Sequence, residues 1–246
     1  MKKVYVKAVF VGAMVVTMCT STVEVAFSQS KKRAKVLQKA DGKSSQGGKT
    51  DGAVYSPDGI EMVYVEGTGS GILAIQGFYI GKYEVTQSQY QAIVGTNPSE
   101  FKGANNPVEM VSWDDAQEFI TKLNARTGRN YRLPTEAEWK YAAREGKKES
   151  RYNYSGSDDI GAVAWYSENI RRGTRPVGQK LPNALGLYDM TGNVWEWCQD
   201  WCTEGSSRVA RGGGWGSLKQ DCGVIYRGCY TPGNRYNTMG IRLVLP

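Results

Sequence analysis

The chain has 246 residues, 40 % hydrophobic and 22 % charged, with 30 glycines and no histidine. Without imidazole, Ser-His-Asp and Cys-His nucleophile systems, histidine-ligated zinc and a histidine proton switch are excluded. The net charge of +7 divides unevenly: residues 1–28 carry +2, residues 29–52 carry +5, and residues 53–246 hold 21 basic against 21 acidic side chains. Basicity thus belongs to the N-terminal segments, and no nucleic-acid partner is expected.

Residues 1–28 read as a secretory signal. Lys2 and Lys3 open it, and residues 8–18 form an uncharged, mostly apolar run too short to span a bilayer. Two processing readings stand side by side. One is cleavage after Ala26-Phe27-Ser28; the other is lipidation at Cys19, preceded by a lipoprotein-like box with Met18 where a small residue is usual. Either places the product outside the cytoplasm: at the cell surface or outer membrane through a lipid, or periplasmic or secreted. Residues 29–52 are polar, basic and rich in Gly and Ser. They cannot bury enough apolar surface to offset ordering entropy and read as a flexible tether.

Residues 53–246 read as one α+β domain. Residues 61–66 and 77–81 have the character of short strands bounded by glycine. Thr86 with Gln89, Ser112 with Asp115 and Thr135 with Glu138 are capping pairs, each opening a helix. In the second of these, Trp113, Ala116, Phe119, Ile120 and Leu123 form an apolar stripe. The third runs to about Arg144. Beyond 146 helix signals vanish, and glycines, aromatics and short apolar runs predict loops and short strands.

The motifs Phe78-Tyr-Ile-Gly-Lys-Tyr-Glu-Val-Thr86, Arg132-Leu-Pro-Thr-Glu-Ala-Glu-Trp139, Gly186-Leu-Tyr-Asp-Met-Thr-Gly-Asn-Val-Trp-Glu-Trp197, Arg211-Gly-Gly-Gly-Trp215 and Gly240-Ile-Arg-Leu243 resemble the formylglycine-generating-enzyme (sulfatase-modifying-factor) family. The resemblance covers about 60–246 and implies an irregular C-type lectin-like fold. Catalytic members of that family oxidise a sulfatase cysteine with a copper-binding thiolate pair. Here Cys222 falls at the second position of the pair and Ser217 at the first. A hydroxyl is a hard donor and a poor substitute for a thiolate on Cu(I), so no copper and no catalysis are expected. A copper-dependent oxidase and a non-variable envelope protein of the same fold stand as alternatives.

Four cysteines lie in this domain: Cys198, Cys202, Cys222 and Cys229. In an exported chain they allow three pairings. A link or buried contact between Cys198 and Cys222 is the first expectation, and free buried cysteines the next. Asp189 and Glu196 flank a glycine-containing turn and, with the carbonyls of Gly192 and Val194, form a candidate structural Ca²⁺ site; the resemblance points to the same positions. The alternative is turn hydrogen bonds and a buried ion pair.

The segment 211–246 also resembles the variable region of diversity-generating retroelement proteins. Gly216, Ser217, Leu218, Asp221, Tyr226, Gly228, Cys229, Tyr230, Tyr236, Asn237 and Thr238 all fall in the set reached by randomising the adenines of an asparagine codon. Tyr, Ser, Gly and Asn are also the mix of binding paratopes. The expectation is a surface-displayed binding protein whose partner is a protein or other surface ligand. Tyr226, Tyr230 and Tyr236 act as anchors, and Ser217, Asp221 and Asn237 supply polar specificity. Leu218, Gly228, Cys229 and Thr238 shape the surface.

Overall fold

Each capping pair starts a helix in the computed structural model of the chain. Helix α1 (Gln87–Val94), helix α2 (Trp113–Thr127) and helix α3 (Glu136–Ala143) begin after Thr86, Ser112 and Thr135. In all three the N-cap side chain accepts the N–H of the residue three positions on, whose own side chain accepts the N-cap N–H. Each such cap contributes about 1 kcal/mol. Helices α1 and α2 stop at Gly95 and Gly128, both left-handed. The stripe of α2 buries Ala116, Phe119, Ile120 and Leu123, while Trp113 stays half-buried.

The described residues are 59–246 apart from 70, 72 and 73, with the backbone of Ala53–Tyr55. The signal, tether and Cys19 expectations lie outside them. Strands β1 (Ala53–Tyr55), β2 (Glu61–Val65), β3 (Phe78–Gly81) and β8 (Val244–Leu245) form one antiparallel sheet in the order β1-β2-β3-β8. Strands β4 (Trp195–Thr203), β5 (Ser207–Arg211), β6 (Gly228–Tyr230) and β7 (Met239–Gly240) form the second, ordered β6-β5-β4-β7, with β4 and β7 parallel. The loop-and-strand expectation beyond 146 needs one correction. Helix α4 (Ile160–Val163) and 3₁₀ turns at Gly146–Lys148 and Lys219–Cys222 lie there; pieces of three or four residues are too short to show a helical period.

The last residues join the two sheets, since β7 pairs with β4 and β8 with β3. Between them Arg242 is fully buried. Its guanidinium pairs with Glu196 at 2.7 Å and donates to the carbonyls of Gly81 and Tyr188. Trp139 of α3 donates its Nε1–H to the same Glu196 at 2.6 Å. One carboxylate therefore ties α3, β4 and the C-terminus together. Removing either charge would strand the other in the interior, at about 3–5 kcal/mol.

Candidate functional site

Trp195, the first residue of β4, is where the C-terminal loops meet. Its N–H donates to the carbonyl of Thr238, and its Nε1–H to Oγ of Ser217 at 3.1 Å. Its ring lies 5.9 Å, centroid to centroid, from both Tyr226 and Tyr230. Tyr230 continues the contact to Tyr236 at 5.5 Å and stands edge-on to buried Trp197. Tilted and edge-on arrangements at these separations are favourable aromatic geometries. Three chain segments, around 217, 226–230 and 236–238, thus converge on one residue, the first two on its ring and the third on its backbone N–H.

Buried groups hold those segments from beneath. The Arg211 guanidinium donates to the carbonyls of Val224 and Tyr226 and pairs with Glu136, which also pairs with Arg227 at 3.0 Å. Oγ of Ser217 accepts the Gly214 N–H, closing the turn. Trp215 Nε1–H donates to the Asn237 carbonyl, and the Asn237 amide donates to Glu100. That amide and then Arg172 hold the Glu100 carboxyl below its ordinary range.

The expected contact residues fall into three groups. Gly216, Leu218, Tyr226, Cys229 and Tyr236 are exposed, Leu218 by 53 % and Tyr226 by 41 %. Ser217, Asp221, Tyr230, Asn237 and Thr238 are half-buried; burial pushes the Tyr230 hydroxyl up. Gly228 is buried, and a Cβ there would lie 2.6 Å from the Tyr230 ring and 3.1 Å from Trp195. It lets those rings close over the backbone and offers no surface of its own. Sequence reasoning missed Trp195, which sits inside a scaffold motif, and Ile225, at 73 % the most exposed large apolar side chain among the described residues. A search for Tyr, Ser, Gly and Asn passes over an isolated isoleucine.

The first cysteine expectation, a link between Cys198 and Cys222, is corrected, and the second, free buried cysteines, holds for those two. Cys202 of β4 and Cys229 of β6 form a disulfide, whereas Cys198 and Cys222 are free and buried. Burial pushes the Cys222 thiol up to about 12 and the Cys198 thiol well above its ordinary value. Thiolates at these positions are unfavourable, and Ser217 spends its oxygen on the turn and on Trp195.

The residues proposed for calcium are arranged differently from a cage. Both oxygens of Glu196 accept from Arg242, and one also accepts from Trp139. Asp189 accepts the Gly178 N–H through Oδ2, while its buried Oδ1 has no partner. Nearby Glu84 accepts from the Asn193 side chain and the Val194 N–H. Burial pushes Glu84 well above the carboxylate range and Asp189 up to about 6. Among the described residues no three acidic or thiol side chains converge as a metal-holding group. The cation facing Glu196 is a guanidinium, and with that carboxylate committed the four donors do not fit calcium as a set. The geometry matches turn hydrogen bonds and a buried ion pair.

Residues 40–246 match the family described as the Sulfatase-modifying factor enzyme 1-like domain. The chaperone protein LppX of Paenibacillus barcinonensis is 37 % identical over 227 residues, covering 70 % of this chain and 81 % of that protein. The formylglycine-generating enzyme of Thermomonospora curvata is 32 % identical over 192 residues, covering 64 % of this chain and 61 % of the enzyme. Among solved structures, Treponema denticola variable protein 1 superposes with a TM-score of 0.71 at 28 % identity, covering 80 % of this chain and 97 % of that one. The irregular α+β fold expected from the motifs, of the C-type lectin kind, is the fold observed.

Proposed function

The chain belongs to the family of sulfatase-modifying factor enzyme 1-like domains, and on that premise we propose that it is an exported, non-enzymatic ligand-binding protein whose C-terminal loops form the binding face. The observation that carries this reading is the convergence of three loops on Trp195, with Leu218, Ile225, Tyr226 and Tyr236 left exposed. Rigid aromatic anchors with an aliphatic surround are what a protein-binding hot spot requires. Catalysis by a thiol pair is disfavoured by the serine at 217 and by the raised thiol of Cys222. Diversification of positions 216–238 belongs to the same reading and is supported by the likeness to the Treponema protein.

A second reading draws on the likeness to LppX, whose name describes a chaperone. The 73 % exposure of Ile225 suits an apolar segment of a client polypeptide as well as a folded ligand.

Three observations test the proposal. A near-copy of the last coding segment, rich in asparagine codons and lying beside a reverse-transcriptase gene, is expected at the locus; its absence leaves a binding protein that does not vary. A photo-crosslinking residue at 225 in the full chain, expressed in its own cell, is expected to capture partners that the same residue at exposed Leu181 does not. One dominant product indicates a dedicated ligand, and a spread of exported chains indicates the chaperone reading. Equal capture at both positions removes the binding face from the proposal. Copper-dependent conversion of a sulfatase-peptide cysteine by the purified chain would return the oxidase.

A further inference from the structure

A separate groove of about 700 Å³ runs along α3, a volume suited to a small molecule. None of its lining residues belongs to the aromatic face. Its charges are unbalanced once existing partners are counted. Glu136 is held by Arg211 and Arg227, and Asp200 accepts the Glu136 N–H at the start of α3. By contrast Lys140, Arg144 and Arg151 line the groove with no carboxylate pairing to them among the described residues; the Arg144 guanidinium donates to the Ser150 carbonyl alone. Glu149 and Asp200 are the lining carboxylates without an ion-pair partner among the described residues, against three such cations, and Asp200 is turned onto the first turn of α3. Arg144, the C-cap of α3, follows Lys140 by four residues, a spacing at which like charges repel. Arg211 forms part of the wall at 4 % exposure, and its buried Nε–H has no acceptor.

We propose that this groove binds a small organic oxyanion, a carboxylate or phosphate on an apolar body. Arg144 and Arg151 grip the oxyanion in the bidentate manner open to guanidinium groups, with Lys140 adding charge. Ile75, Ala137 and the ring of Tyr141 receive the apolar body. The Tyr141 hydroxyl is already used on the Glu66 carbonyl, which leaves its ring as an apolar wall.

Calorimetric titration of the full chain at low salt tests this with benzoate, phenyl phosphate and neutral benzamide. At least one anion is expected to bind tenfold or more tightly than benzamide, and the stronger of the two identifies the headgroup. Arg144→Gln and Arg151→Gln are each expected to weaken that anion about tenfold with an unchanged melting temperature. Tyr226→Ala leaves its affinity unchanged, which separates this site from the loop face. Benzamide binding as well as the anions, no binding of either anion at millimolar concentration, or full affinity in both glutamine variants would overturn the proposal.

Discussion

Tyr226 and Tyr230 touch the same indole but differ in how much of the fold depends on them. Tyr226 is 41 % exposed and contacts Trp195, whereas half-buried Tyr230 is wedged among Trp195, Trp197 and Tyr236. Tyr226→Ala is therefore expected to abolish partner capture at position 225 while leaving stability within about 0.5 kcal/mol, as for surface substitutions. Tyr230→Ala should cost roughly 1–3 kcal/mol, less than a fully buried aromatic. Urea unfolding of the two variants checks this, and equal losses would make Tyr226 part of the core. A different residue-scale consequence follows from Asp189. Its carboxyl is raised in the fold to about 6 from 3.8, so the native state holds a proton that the unfolded chain has released. Stability then falls as pH rises from about 4 to about 6, by on the order of 3 kcal/mol, and stays lowered above that. Asp189→Asn removes this loss. Asparagine tolerates the residue's φ of 55°, and its carbonyl can keep the Gly178 N–H. The variant should gain on the parent between pH 4 and pH 7 in the same unfolding assay, and EDTA should not move the melting temperature of either. A calcium-reversible drop would restore Asp189 as a metal ligand.

At the scale of elements, what was legible was local. A capping pair needs only residues three apart, so all three helix starts can be read from Thr86, Ser112 and Thr135. The stripe of α2 likewise follows from its helical period. Pairings across space leave no such signature. Glu196 and Arg242 lie 46 residues apart, and nothing in either motif names the other as its partner. The disulfide behaves the same way: Cys198 and Cys202 both lie on β4, and chain order alone does not select the one that reaches β6. The bridge that forms closes a separation of 27 residues and secures a strand only three residues long. Replacing Cys202 and Cys229 together with serine should lower stability by about 3 kcal/mol. Amide hydrogen exchange should then rise first across residues 224–230, the loop and strand that the bridge holds to β4. Uniform acceleration throughout the domain would mean that the disulfide stabilises the fold globally and does not serve to hold the face.

Across the whole molecule, the motif-bearing residues and the exposed face have separate tasks. Glu196, Arg211, Arg242 and Trp139 are buried and bonded to one another's elements, which is why the fold could be inferred from the motifs alone. The face could be read only as a composition, because a loop's exposure depends on what the scaffold beneath it covers; Gly228 and Ile225 fell on opposite sides of that line. If scaffold and face are energetically independent, changes in one should not register in the other. Replacing Leu218, Ile225 and Tyr226 together with serine should shift stability by no more than about 1 kcal/mol, since exposed substitutions are individually small and add when they share no buried partner. Gly240→Ala is the opposite case, a single methyl placed 2.6 Å from the Val108 carbonyl and 2.7 Å from the Val194 side chain. Overpacking of that kind costs about 1–3 kcal/mol, more than the triple change. Thermal unfolding of the two proteins decides the matter. A triple variant that melts lower than Gly240→Ala would mean that the exposed residues help hold the domain together, and a face so constrained could not vary freely to meet new ligands.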